Sequence, residues 1–306
     1  MTASAAIVPI LPAIQLKRIL YATDFSEGSR AALPLVSAIA RRYHSELFVA
    51  HVCTPPPCIT VIPEAVSTME HWHQRDATRK LAELLRAMDV SRLSTRMIVK
   101  TGDPVKELEQ LVRDKAIDLA VLSTHGRVGF KHLLLGSVAE ALFRHLACPV
   151  LSVGPHLAHR FLGKVEINHI LFPTDLSEES RAVFPFLASL ADENKAAITV
   201  LHVLPPETAD NPDAKALAEP LRHEMMRIFC PEISPGCNAE FVIDAGEASE
   251  RILAQAQERN ADLIGFGIRK AGELTTHFRN TVTYRVLLNA RCPVLTHRCQ
   301  HHWSGR

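Results

Sequence analysis

Long hydrophobic runs are missing from this sequence. No apolar stretch reaches the roughly 18–20 residues that span a bilayer, so no membrane-crossing helix is expected within its 306 residues. An excess of one charge is missing too. Lys and Arg number 34 against 33 Asp and Glu, a formal net charge of +1, so no whole-molecule field draws in nucleic acid or an acidic membrane. Any anion must be bound by local geometry. The seven cysteines (Cys53, Cys58, Cys148, Cys230, Cys237, Cys292, Cys299) form no CxxC pair. Their odd number and scatter argue against a disulfide framework or zinc ribbon and for reduced thiols in the cytoplasm. Cys148 and Cys292, each followed by Pro-Val, read as small buried hydrophobes. The stretch AAIVPILPAI is short, is broken by Pro9 and Pro12 and has no basic residue before it. It reads as a packed extended arm, not as a secretory signal.

What remains, 47% apolar and 22% charged residues, is the composition of a globular protein. The length suits two domains, and the chain repeats itself. ILYATDFSEGSRAALP (19–34) recurs as ILFPTDLSEESRAVFP (170–185), with ten identities in sixteen positions at an offset of 151. TGDPVKELEQLVRDKAIDLAVL (101–122) aligns with AGEASERILAQAQERNADLIGF (245–266), and CPVL recurs, both at an offset of 144. Seven residues are therefore lost between the second and third strands of the second copy. Two homologous domains follow, 1–155 and 156–306, joined near GPHLAHRFLGKVE.

Each copy alternates short apolar runs with helix-period segments. In the first, RILYA, ELFVAHV, STRMIVK, LAVLS and PVLSV read as strands. Ser26 is the expected N-cap of a helix to about Tyr43; further helices are expected over about Ser67–Met88, from Pro104 to about Lys115, and up to about Ala147. The fold class is α/β, with two homologous, doubly wound, parallel five-stranded sheets of order 3-2-1-4-5. In such a sheet, ligands bind beyond the carboxyl ends of the strands, where the winding direction reverses. That crevice brings ATDFS (22–26), leaving strand 1, against STHGRVGFKHLLLGS (123–137), leaving strand 4.

The second of these segments has the chemistry of an anion cradle. Gly126 lets the backbone turn and bring its N–H close to a ligand. Gly136 and Ser137 open a helix whose first amides lack intrahelical partners and carry the positive end of the dipole, a setting that favours phosphate. Ser137 adds a hydroxyl for a phosphate oxygen or a metal-bound water. Arg127, Lys131 and His132 raise the local potential or are simply solvated. A lone glycine-rich stretch is also read as a turn and cap, and Asp24 as a carboxylate at a helix N-terminus; the meeting of both segments at one crevice favours a binding site.

These residues resemble the universal stress protein family in tandem form, with its Rossmann-like, adenine nucleotide alpha hydrolase-like fold. The family's phosphate motif is Gly, two residues, Gly, nine residues, then Gly with Ser or Thr. Gly126, Gly136 and Ser137 match it, and Ser123 stands at the first glycine position. The resemblance implies a site for an adenine nucleotide, ATP, with or without Mg. Ala22, Thr23, Asp24 and Val52 would hold adenosine; Leu122, Ser123, Gly126, Gly136, Ser137 and Val138 would hold ribose and phosphates. It implies a cytoplasmic stress-response or adaptation module with protein partners that the sequence does not name. A slow ATPase and a nucleotide-independent scaffold are the alternatives. No Walker-type Gly-Lys-Ser/Thr follows the glycines, and Asp24 and His125 are the sole nearby candidates for acid–base work. His51 reads as a strand-end histidine.

In the second copy Asp175 and Val203 persist, but Lys270 replaces Gly126, Asn280 replaces Gly136 and Thr281 replaces Ser137. This half reads as degenerate and structural, the alternative being an anion held by the side chains of Arg269 and Lys270. The apolar strands PVLSV and PVLTH are expected at sheet edges, which need pairing. In the family such strands pair between protomers, so the resemblance implies an intramolecular pseudo-dimer, able to form a homodimer in turn. His71, Trp72 and His73 have poor metal-ligand spacing on a helix. The tail HRCQHHW, with His297, Cys299, His301 and His302, reads as a chain end and not as a metal site.

Overall fold

A computed structural model of the chain describes residues 14–55, 63–87, 93–124, 135–154, 157, 166–208, 212–268 and 281–298. They form two compact units that divide between Val165 and Glu166, with residues 14 and 15 grouped with the second.

The first unit runs β1 (Arg18–Ala22), α1 (Glu27–Ala31), α2 (Leu33–Arg42), β2 (Glu46–Cys53) and α3 (Pro63–Ala87), then β3 (Ser94–Thr101) and α4 (Pro104–Asp114), and finally β4 (Leu119–Ser123), α5 (Ser137–His145) and β5 (Val150–Val153). Its five strands are parallel, in the order β3-β2-β1-β4-β5. The central runs ILY and LAVL have no polar alternation because helices cover both faces of the sheet; Ile19, Leu20, Tyr21 and Leu119 to Leu122 are all buried. The second unit runs β6 (His169–Pro173), α6 (Glu178–Asn194), β7 (Ala197–Leu204), α7 (Pro212–Phe229), β8 (Ala239–Ala245), α8 (Ala248–Glu258), β9 (Leu263–Gly267), α9 (Val282–Asn289) and β10 (Val294–His297). Its order, β8-β7-β6-β9-β10, is again the doubly wound 3-2-1-4-5 arrangement.

The repeat extends to the backbone torsions. Among the described residues, those with positive φ pair off as Phe25 with Leu176 and His44 with Lys195, 151 apart, and as Ala116 with Asn260 and Gly102 with Gly246, 144 apart. The missing seven residues fall between β7 and β8, where α7 has 18 residues and its counterpart α3 has 25.

One helix differs from expectation. The segment after Ser26 is not continuous to Tyr43, because α1 closes on Ala32 and α2 restarts with Pro34 in its first turn. Proline has no N–H to continue the ladder and is tolerated at such a restart. Its counterpart Pro185 lies inside the unbroken α6.

Candidate functional site

The loop from β1 to α1 is held in a conformation that a bulky side chain disfavours. Phe25 has φ 65°, in the left-handed region, which costs about 1–2 kcal/mol for an L-residue. Local hydrogen bonds offset the strain. The Phe25 N–H donates to Thr23 Oγ1 at 3.0 Å, and the Ser26 N–H to Asp24 Oδ1 at 3.0 Å. Ser26 then caps α1, its hydroxyl accepting from the Ser29 N–H at 3.2 Å. Asp24 therefore shapes the loop, and a carboxylate has further lone pairs to offer a ligand. Beneath the loop, Tyr21 donates to the Ser29 carbonyl at 2.6 Å. Burial pushes the Tyr21 hydroxyl up to about 12.

His51, near the end of β2, has Nδ1 2.7 Å from the Thr23 carbonyl. A carbonyl only accepts, so Nδ1 carries the hydrogen. Phe25 packs on the same imidazole, ring centroids 4.4 Å apart. His51 is thus a strand-end residue that fixes the β1 loop.

Across the crevice, Ser123 ends β4 in extended backbone, in register with Val153 of β5. Its φ is not positive, so this first glycine position of the motif accommodates serine without strain. Gly136 caps α5 at φ −59° and ψ 139° with no side-chain hydrogen bond. Those torsions are open to any residue, so glycine is not dictated by the backbone here; what it supplies is access to the first amides of α5. The Gly136 N–H donates to the Thr124 carbonyl at 3.0 Å, which ties the helix start to the end of β4.

These segments enclose a cavity of about 780 Å³, within the size range of small-molecule sites. Ala22, Thr23, Asp24 and Val52 line it on the β1–β2 side; Leu122, Ser123, Gly136, Ser137 and Val138 line it on the β4–α5 side. Gly126 lies outside the described residues, as do His125, Arg127, Lys131 and His132.

A third wall comes from α3, which the sequence did not assign to the site. Trp72, His73, Asp76 and Lys80 line the cavity. The buried stripe of α3 is Ala77, Leu81 and Leu84; stepping back four residues from Ala77 reaches His73, so the same helix face leaves the core and enters the cavity. That periodicity was the available signal. Gln74 Nε2 to Thr101 Oγ1, 3.0 Å, ties this part of α3 to the end of β3.

A profile of the universal stress protein family matches residues 15–154 and again 166–298. The chain belongs to the universal stress protein family. Universal stress protein MJ0577 of Methanocaldococcus jannaschii is 25% identical over 155 residues, which cover 46% of this chain and 96% of that one. Universal stress protein A homolog 1 of Coxiella burnetii is 31% identical over 141 residues, 45% of this chain and 95% of that one. These relatives each match about half of the chain. The crystal structure of a universal stress protein from Archaeoglobus fulgidus matches both halves. It has a TM-score of 0.70 over 93% of this chain and 99% of that one, at 20% identity, a likeness of fold.

The second universal stress protein repeat keeps the loop and packs more tightly beside it, where β9 ends. Leu176 repeats the left-handed φ at 62°. The Thr174, Asp175 and Ser177 hydrogen bonds are reproduced, and His202 Nδ1 stands 2.8 Å from the Thr174 carbonyl. At the counterpart of Ser123, however, the backbone of α6 lies directly on Gly267: an added Cβ would collide with the Glu179 carbonyl. Ser123 has a Cβ, so the first repeat cannot adopt that approach of helix to strand. The helix start differs too. Thr281 caps α9 with its own hydroxyl, which accepts from the Tyr284 N–H at 3.2 Å, whereas α5 is capped by glycine. Lys270, Asn280 and Arg269 lie outside the described residues. Among the described residues, no three His, Cys, Asp or Glu side chains cluster to hold a metal, and no helix is long and apolar enough to cross a membrane. Of the tail residues, His297 ends β10, with burial pushing its pKa down to about 4; Cys299, His301 and His302 lie outside the described residues.

Proposed function

We propose that the first repeat binds an adenine nucleotide, ATP, in this cavity, and that the chain is a cytoplasmic stress-response module whose protein contacts respond to that ligand. The repeats divide as 1–155 and 156–306. One observation carries the reading: nine of the ten residues that the family resemblance assigns to the nucleotide line a single cavity. Adenosine lies against Ala22, Thr23, Asp24 and Val52, and the phosphates lie at Gly136, Ser137 and Val138. The amides that open α5 donate to phosphate oxygens, aided by the helix dipole. A Mg ion would be held chiefly by the phosphates and water, as is usual for this cation, with the Ser137 hydroxyl as its nearest protein partner.

Gly136→Asp tests this assignment by titration calorimetry. The carboxylate would cap α5 itself and repel phosphate. ATP affinity should fall about a hundredfold, roughly the 3 kcal/mol of a lost charged hydrogen bond. The unfolding temperature should hold or rise, because Asp is a favoured N-cap. Wild-type ATP affinity in this variant would contradict the site.

A further inference from the structure

We propose that Trp72, supported by His73, is the base-recognition wall of the cavity, selecting a purine nucleoside triphosphate over a pyrimidine or base-free polyphosphate by stacking; this rests on the nucleotide reading above. Trp72 is 62% exposed, the most exposed of the large apolar side chains among the described residues, yet it lines the cavity. An indole left in water at a cavity wall has apolar area to bury, and covering such area is favourable by about 25 cal/mol per Å². His73 braces it edge-on, with ring centroids 5.2 Å apart at 76°.

The charges set the direction in which a nucleotide lies. Lys80 is the cation on the α3 wall, and its Nζ is 2.6 Å from Asp76, which also holds Arg79 at 2.6 Å. The same Nζ sits over the Phe25 ring, 5.8 Å from its centroid. A cation already matched by a carboxylate is a poor anchor for phosphate. The α5 amides, which no side chain caps, are the better one. The anionic end of the ligand goes to α5, and the base goes to the aromatic wall on α3. A purine, with two fused rings, offers the indole more stacking surface than a pyrimidine. The second repeat lacks this wall: α7 is seven residues shorter and has no Phe, Tyr or Trp before Phe229.

The chain has two tryptophans, so a Trp303→Phe background leaves Trp72 as its sole indole. In that background ATP should quench the fluorescence and inorganic tripolyphosphate should not. Trp72→Ala should weaken ATP about tenfold, the effect of losing one base–aromatic stack, and leave tripolyphosphate unchanged. Trp72→Phe should restore most of the loss, and CTP should bind the wild type more weakly than ATP. Unchanged ATP affinity in Trp72→Ala, beside a loss in Gly136→Asp, would overturn the base wall and leave the nucleotide site standing. Equal weakening of ATP and tripolyphosphate would also overturn it. No ATP binding to the wild type would overturn both readings.

Discussion

The two repeats share a strand order, a β1 loop and four matched positive-φ positions, yet they differ at the one place where a ligand would sit. The first has Ser123 on β4, a glycine cap on α5 and an open cavity. The second has Gly267 under the backbone of α6 and a threonine hydroxyl on the first turn of α9. A glycine can therefore serve opposite ends. At 136, on the proposed reading, it leaves the first amides of α5 uncapped for a ligand; at 267 it lets the backbone of α6 pack directly on β9.

Exchanging residues between the repeats is the way to sharpen this contrast. The largest effect is expected at Gly267→Ser, which copies Ser123. The serine would force α6 from β9, an overpacking that costs about 3 kcal/mol, read as a lower denaturation midpoint with ATP affinity unchanged. A neutral result would mean that the helix approach is soft. His297→Val copies the first repeat next, since Val153 is its counterpart and is fully buried. The His297 pKa is depressed by burial to about 4 from 6.5. The unfolded state thus binds more protons between those values, so the contribution of His297 to stability is complete above pH 6.5 and is lost as pH falls toward 4. Between pH 7 and pH 4.5 the wild type should lose about 2 kcal/mol more than His297→Val. Parallel acid profiles would contradict this assignment. Tyr21→Phe is the smallest change and copies Phe172. It removes the 2.6 Å hydrogen bond to the Ser29 carbonyl and should cost about 1 kcal/mol in urea denaturation. No loss would mean that water or a neighbour satisfies that carbonyl.

Much of this was legible in the sequence because its signals were local or periodic. The continuous runs RILYA and LAVLS read as strands covered on both faces, and the offsets of 151 and 144 located the shortened connection between β7 and β8. The crevice followed from the strand order, and it brought Asp24 and Gly136 to one cavity. What the sequence did not reveal depended on packing. Pro34 and Pro185 occupy the same position in the repeat, but one restarts a helix and the other rides inside one. Trp72 and His73 were set aside for poor metal-ligand spacing; spacing along a helix does not say that the β2–β3 connection turns its inner face past the sheet edge into the site. The closeness of α6 to Gly267 is a contact across 88 residues, for which no local pattern exists.

The central proposal is that the first repeat binds a nucleotide and the second does not. Native mass spectrometry of the full chain titrated with ATP tests it most directly. One nucleotide per chain at saturation, lost in Gly136→Asp and retained in Gly267→Ser, is the expected result. Two nucleotides per chain, or one that survives Gly136→Asp, would contradict it.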